Sequence, residues 1–501
     1  MAAPKQRLQS KRLPSERTAN RLPESIDAQS LSVKRAEVEF HNFASLGEPE
    51  VAIAAYSDEN VRRGAILRDH MPFVGGLAPF LEIGANAGHT SYMLANEFGA
   101  EGFALDISAD ALRHGVALMD RWHVSRAPVR VAGDATNLPF RDNSVRFVMA
   151  CQMLSQFMNI ESVFLEVSRV LAPGGIFLFA EEPLRRLLSL RLYRCPYYNR
   201  MKPWERKLYQ WGLLGYLVQD VIGAEQEESF GIRQNHSMYL SDWHSLITKH
   251  FEAHEYEMFV PERGWGEVVV KKAATRLDPH RSEWRAARLL GGTLAAVCRK
   301  PGGRLNGFPA MDQFEKFLRC PDCGRDLARD PGDVLRCTGC PYSSANEGGV
   351  YNLLPSTERA ELYPGDRGDV IDFSLPDHER RLLDGWYELE GVFGNKYRWI
   401  GARARAKLVR LRSGPQRLRI RGHAHEMAFQ VGQPVRLDVR VNGTPAAQTT
   451  IERPGLFIIE APVPDAAEYL VEVNASPTWE APPDDRIFTV NLSMIRLMPR
   501  E

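Results

Sequence analysis

The segment that most limits the fold of this 501-residue chain is Phe80-Leu-Glu-Ile-Gly84-Ala-Asn-Ala-Gly88, a short apolar run that meets a glycine-bounded turn. The run must end where the turn begins, and the helical spacing over 89–98 makes the next element a helix. Strand, glycine turn and helix in this order are the repeating unit of an α/β sheet. Helical and strand patterns go on alternating between 36 and about 300, which predicts a single α/β unit over 36–300. Glycines at 84 and 88 let the backbone approach a ligand closely, and the helix start offers it unpaired N–H groups. The turn alone does not choose the ligand, because dinucleotide enzymes use similar loops.

The neighbouring elements narrow the choice. Glu101-Gly-Phe-Ala-Leu-Asp106 reads as a second strand ending in an acid suited to hold two ribose hydroxyls. The turn is spaced Gly-x-x-x-Gly rather than Gly-x-Gly-x-x-Gly, and Glu82 lies inside the strand before it. A pyrophosphate would be repelled by that carboxylate, whereas the cationic end of S-adenosylmethionine would be served by it. Gly133-Asp-Ala-Thr-Asn-Leu-Pro-Phe140 follows a third strand and offers Asp134 to an adenine amino group. Residues 143–151 form a fourth strand with Cys151 at its mouth, and Glu166-Val-Ser-Arg-Val-Leu-Ala-Pro-Gly-Gly175 closes a helix before a fifth strand at 176–180.

In the order and spacing of these elements, residues 40–182 resemble a class I methyltransferase. The resemblance places cofactor contacts on Glu82, Gly84, Ala85, Asn86, Gly88, Asp106, Ile107, Asp134, Ala135 and Cys151. It implies S-adenosylmethionine as cofactor, in-line transfer of its methyl group, and a Rossmann-like sheet of seven strands whose last runs antiparallel. Two segments, 267–271 and 293–299, are candidates for that last strand.

The acceptor pocket in such a sheet is built from what lies beyond its fourth and fifth strands. Here 183–250 is an insertion, and its first part, 183–215, carries eight Lys/Arg against one acid, with Tyr193, Tyr197, Tyr198, Trp204, Tyr209 and Trp211 interleaved. That mixture suits a cap facing phosphates, a membrane surface or a sugar, and equally a solvated helical lid with its aromatics inward. Glu181, Glu182, His236 and His41 are the candidate general bases for a hydroxyl acceptor. For each, a structural hydrogen bond is the plainer role.

Cys320-Pro-Asp-Cys323 and Cys337-Thr-Gly-Cys340 stand thirteen residues apart, a spacing that suits four thiolates on one structural zinc ion. The segment 314–356 resembles the zinc-ribbon activator subunits that partner tRNA and protein methyltransferases, though such ribbons also occur fused to bacterial methyltransferases. After a polar linker at 357–384, residues 385–501 change to short alternating strands, as in an all-β sandwich. Val435-Arg-Leu-Asp-Val-Arg-Val441 alternates inward and outward, and Asn442-Gly443 suits a tight hairpin. This part resembles the accessory sandwich of polysaccharide-modifying enzymes, in which Trp386, Trp399 and Trp479 are candidates to stack on sugar rings, burial in the sandwich core being the commoner situation for such residues.

Composition sets outer bounds. The chain is too long for one core, and its 63 basic and 63 acidic residues argue against wholesale nucleic-acid binding. Residues 1–35 read as a basic, disordered arm without the apolar stretch of a signal peptide. No run is long enough to span a membrane, so a cytoplasmic enzyme is expected, with peripheral contact at the inner membrane face through 183–215. The favoured expectation is an O-methyltransferase acting on a sugar of a cell-surface polysaccharide or its lipid-linked glycan precursor. The alternatives are an RNA or protein methyltransferase with its activator fused in cis, and a non-catalytic scaffold for glycan synthesis.

Overall fold

The computed structural model describes residues 34, 38, 49–157, 159–184, 204, 238–259, 292–305, 307–363, 365, 368–373, 378–392, 395–429, 433–452 and 454–499. Helix α1 (Pro49–Asp69) precedes a sheet whose strands are β1 (Phe80–Ile83), β2 (Gly102–Asp106), β3 (Val129–Ala132), β4 (Val145–Cys151), β5 (Leu171–Leu184), β6 (Ala253–Phe259) and β7 (Gly292–Arg299). Their order is β6-β7-β5-β4-β1-β2-β3. Strands β1 to β5 pair in parallel, while β7 runs antiparallel to both β5 and β6. The antiparallel strand is thus supplied by the 293–299 candidate; 267–271 lies outside the described residues.

Parallel neighbours need crossovers, and these are helices α2 (His89–Asn96), α3 (Ala109–His114), α4 (Val116–Trp122) and α5 (Ile160–Val170). In α5 the buried side chains Ile160, Val163, Phe164, Val167 and Val170 recur at helical spacing and pack on Phe177 and Phe179 of β5. Every residue of β1 and β2 is buried, as expected for strands covered on both faces. Strand β1 has β2 on one side and β4 on the other, so the strand order reverses there and a crevice opens at the carboxyl ends.

The cysteine-bearing segment, expected as a zinc ribbon over 314–356, adds its strands to the edge of the main sheet. Its strands β8 (Leu327–Arg329), β9 (Val334–Cys337), β10 (Ser343–Glu347) and β11 (Val350–Asn352) continue the main sheet, because β11 pairs in parallel with β3 and extends seven strands to eleven. The physical reason is the open edge of β3, whose unpaired N–H and C=O groups take a partner. Phe314, Phe317, Leu318, Leu335 and Leu353 belong to the same core as Val131 and Phe140.

Described residues within the expected linker, 357–384, include a helix and a short strand. Helix α7 (Ser356–Leu362) follows β11, numbered after α6 (Leu240–His250), and Val370–Asp372 pairs with Asn491–Pro499 of the C-terminal unit. That unit has two main antiparallel sheets around one core. Val435, Leu437, Val439 and Val441 are buried in alternation, and Asn442 and Gly443 both take positive φ in the hairpin. Of the two situations open to the tryptophans, burial in the core holds for Trp399 and Trp479, which are each 8% exposed, lie edge to face at 5.6 Å, and pack with Phe488. Trp386 is half-buried, its indole N–H donating to the carbonyl of Arg405. Inward burial satisfies both the rings and their N–H groups, so none is presented as a stacking platform. Among the described residues no helix is long and apolar enough to cross a membrane.

Candidate functional site

The crevice begins at the bend after β1. Gly84, Asn86 and Gly88 have φ of 67°, 51° and 77°, so the chain turns through the left-handed region at three alternate residues. At Gly84 a Cβ would also lie 2.9 Å from the Met153 side chain, so glycine is required there on two counts. Asn86 occupies a left-handed position that asparagine tolerates better than most residues.

Asp106, 3% exposed at the end of β2, ties this bend to the next turn. Its Oδ2 accepts the Asn86 N–H at 2.7 Å and its Oδ1 accepts the Ser108 N–H at 2.8 Å. Ser108 in turn caps α3 by accepting the Ala111 N–H on its Oγ. Glu82 is 1% exposed, and its Oε2 accepts the Ser91 hydroxyl at 2.5 Å. Burial pushes its pKa up to about 7, against the pull of Ser91 and of the nearby Arg63 charge. Cys151 ends β4, 7% exposed, with burial pushing its thiol pKa up.

Helix α1 supplies groups that the sequence reading missed. Arg63, 4% exposed, donates to Thr90 Oγ1 at 2.8 Å and to Glu181 Oε2 at 2.9 Å, and it pairs with Glu59 at 3.1 Å. His89 Nε2 lies 2.8 Å from both Arg63 Nη1 and Glu59 Oε2, and its ring stacks on Tyr56 at 4.3 Å. From sequence, Glu59 and Arg63 form an ordinary i,i+4 surface pair, and only the fold turns Arg63 inward.

The two acids offered as general bases are otherwise employed. Glu181 is clasped by Arg62 at 3.1 Å and by Arg63. Glu182, fully buried, accepts the N–H groups of Met153 and Leu154 on Oε1 and of Ser155 on Oε2, at 2.9 to 3.0 Å. It holds the loop after β4 in place, and burial raises its pKa against the pull of those three donors. His41 and His236 lie outside the described residues, as does most of the 183–250 insertion.

Asp134 departs from the simple picture of an acid offered to adenine. Lys34 Nζ lies 2.7 Å from its Oδ2 and 2.6 Å from Glu358 Oε1 of α7, while Thr136 donates its N–H and hydroxyl to the two oxygens of Asp134. Ala135 and Ile107 flank this end of the crevice, and Ile107 packs with Val38, Leu354, Leu362 and Tyr363. The Tyr363 hydroxyl donates to the Ile107 carbonyl at 3.0 Å and accepts the Ala109 N–H at 2.8 Å. No local signal in the sequence links residue 363 to the turn after β2.

The four cysteines converge as their spacing requires. Their Sγ atoms all lie within 4.8 Å of one another, with Cys320–Cys340 at 3.6 Å and Cys323–Cys337 at 3.3 Å. Four thiolates around a tetrahedral zinc would stand roughly 3.8 Å apart, so the donor set fits such an ion. Gly324, at φ 74°, donates its N–H to the Cys320 carbonyl, and the Gly339 N–H points at Cys337 Sγ.

Residues 81–179, which run from β1 into β5, match the family model described as a methyltransferase domain. Over 112 residues the chain is 35% identical to the biotin biosynthesis bifunctional protein BioHC of Cellvibrio japonicus, covering 22% of this chain and 21% of that protein. It is 30% identical over 112 residues to the malonyl-(acyl-carrier protein) O-methyltransferase of Geobacter sulfurreducens, covering 22% and 40%. It is 27% identical over 153 residues to the fatty-acid O-methyltransferase of Mycolicibacterium smegmatis, covering 30% and 54%. The chain therefore spans about half or less of the length of these curated relatives. The α/β unit carries a methyltransferase domain of the S-adenosylmethionine-dependent kind.

Proposed function

We propose that this protein is an S-adenosylmethionine-dependent O-methyltransferase whose acceptor is a sugar of a cell-surface polysaccharide or of its lipid-linked precursor. The observation that carries the cofactor reading is Asp106, a buried carboxylate bonded at once to the bend after β1 and to the turn after β2. In this reading Asp106 holds the ribose hydroxyls, and the backbone of Gly84, Ala85, Asn86 and Gly88 makes room for the methionine end. Glu82 answers the ammonium group with the buried Arg63 close by, Cys151 lies at that same end beside Glu82 and Arg63, and Ile107, Asp134 and Ala135 border the base. When bound, S-adenosylmethionine supplies a methyl group on a positively charged sulfur. The chain's part is to bind and orient it and to exclude water from the crevice.

The acceptor assignment is supported by the basic, aromatic character of 183–215 and by the attached two-sheet unit. The same basic stretch supports a peripheral site at the inner membrane face. The four cysteines are assigned a structural Zn2+. A second reading, a carboxylate acceptor, is favoured by one observation: Glu181 and Glu182 are both engaged, and an acceptor that is already anionic needs no base. The relatives named for malonyl-carrier-protein and fatty-acid methylation are in keeping with it.

Two experiments test these readings. Asp106→Ala should abolish binding of S-adenosylhomocysteine in calorimetry, and undiminished binding would remove the cofactor assignment. S-adenosylmethionine labelled in its methyl group, offered with fractionated lysate, should label polysaccharide or its lipid-linked precursor. Label in fatty acyl groups or carrier protein would favour the carboxylate reading, and label in RNA or protein alone would overturn both.

A further inference from the structure

The cofactor crevice is finished by residues from beyond the methyltransferase domain. Helix α3 is short, and its first N–H groups need partners from outside the helix. Ser108 serves Ala111, and the Ala109 N–H goes to Tyr363 Oη at 2.8 Å. The same hydroxyl donates to the Ile107 carbonyl at 3.0 Å, so one oxygen grips the turn on both sides of Ser108. Ser108 is also the residue whose N–H is held by Asp106. The aspartate carboxylate and the tyrosine hydroxyl therefore fix the same three-residue turn.

Tyr363 is itself held in place. It follows α7 directly, and it packs with Leu362, Leu354 and Val38. The preceding Glu361 pairs with Arg412 at 2.7 Å and gives its carbonyl to Arg496, both from the C-terminal unit. Burial raises the tyrosine pKa and keeps the hydroxyl protonated, as a donor to Ile107 must be.

We infer that Tyr363 is a positioning residue of the cofactor pocket, setting the turn after β2 so that Asp106 meets the ribose hydroxyls of an adenosyl ligand. The inference rests on the cofactor reading above and deepens it, since it makes ribose recognition depend on the segment after the cysteine hairpin.

The test is calorimetry on the full chain with two probes, S-adenosylhomocysteine and its 2′-deoxy analogue, for wild type, Tyr363→Phe and Glu361→Gln. Tyr363→Phe keeps the ring and deletes both hydrogen bonds. It should weaken S-adenosylhomocysteine about tenfold and the deoxy analogue less than about threefold. Glu361→Gln keeps the hydroxyl and loosens its support, and should give the same selective loss at about threefold; it carries the test if Tyr363→Phe does not fold. Equal weakening of both probes, or no weakening, would overturn the inference while leaving the cofactor reading intact. A wild type that binds neither probe would overturn the cofactor reading, and the role of Tyr363 with it.

Discussion

Replacing Glu182 separates a structural carboxylate from a catalytic one. Its two oxygens receive three backbone N–H groups from 153–155, and it is fully buried. In Glu182→Gln the carbonyl oxygen can keep Met153 and Leu154, but the amide nitrogen then faces the Ser155 N–H, donor against donor. One buried N–H without a partner costs about 1–3 kcal/mol, and a bond to a charged acceptor is worth about 1.5–3 kcal/mol, so a net loss of about 3 kcal/mol is expected. For a unit of this size that lowers the melting midpoint by about 6–12 °C. Glu182→Ala strands all three donors and should cost more. Differential scanning calorimetry gives the midpoint, and methyl transfer at a temperature where both proteins are folded gives the rate per folded molecule. The expected outcome for Glu182→Gln is a lower midpoint with a rate within about twofold of wild type. An unchanged midpoint with turnover lost would refute the reasoning and restore Glu182 as a base.

Two further outcomes follow from the site. Because burial holds Glu82 near a pKa of about 7 and above its ordinary value, its contribution to stability is present below the usual carboxylate range and is lost as pH rises through 7. A bound cation favours the ionised form, so S-adenosylhomocysteine binding should release a proton and tighten between pH 6 and 8; a pH-independent affinity, or the same slope in Glu82→Gln, would count against Glu82 as its partner. For the cysteine site, purified protein should carry about one zinc per chain, and Cys337→Ser should lose the metal and expose the hairpin to proteolysis. Metal-free protein with an unchanged melting profile would sink that assignment.

What could be read from the sequence was local. The apolar run at 80–83, the bend to Gly88 and the acid at 106 declared themselves because a strand, a turn and a helix each leave their own period over a few residues. The Asn442-Gly443 hairpin and the alternation of Val435 to Val441 were legible for the same reason. What was hidden depends on partners distant in the chain. Val350-Tyr-Asn352 is too short to signal a strand, and nothing in it points to β3. The short Val370–Asp372 strand was lost in polar text. The partner of Glu181 is hidden in the sequence because Arg63 reaches it from another element, and the packing of Trp399 is hidden because its core neighbours, Trp479 and Phe488, lie far along the chain.

The pairing of β11 with β3 also bears on how the chain comes to be folded. Arg130 leaves the ribosome long before Val350, its partner across the pair. At cellular elongation rates that interval is roughly ten to forty seconds. Throughout it the nascent sheet has a bare edge, open to a neighbouring polypeptide. The cysteine hairpin, arriving late, ends that exposure, so a chain cut short before Val350 should aggregate where the full chain does not.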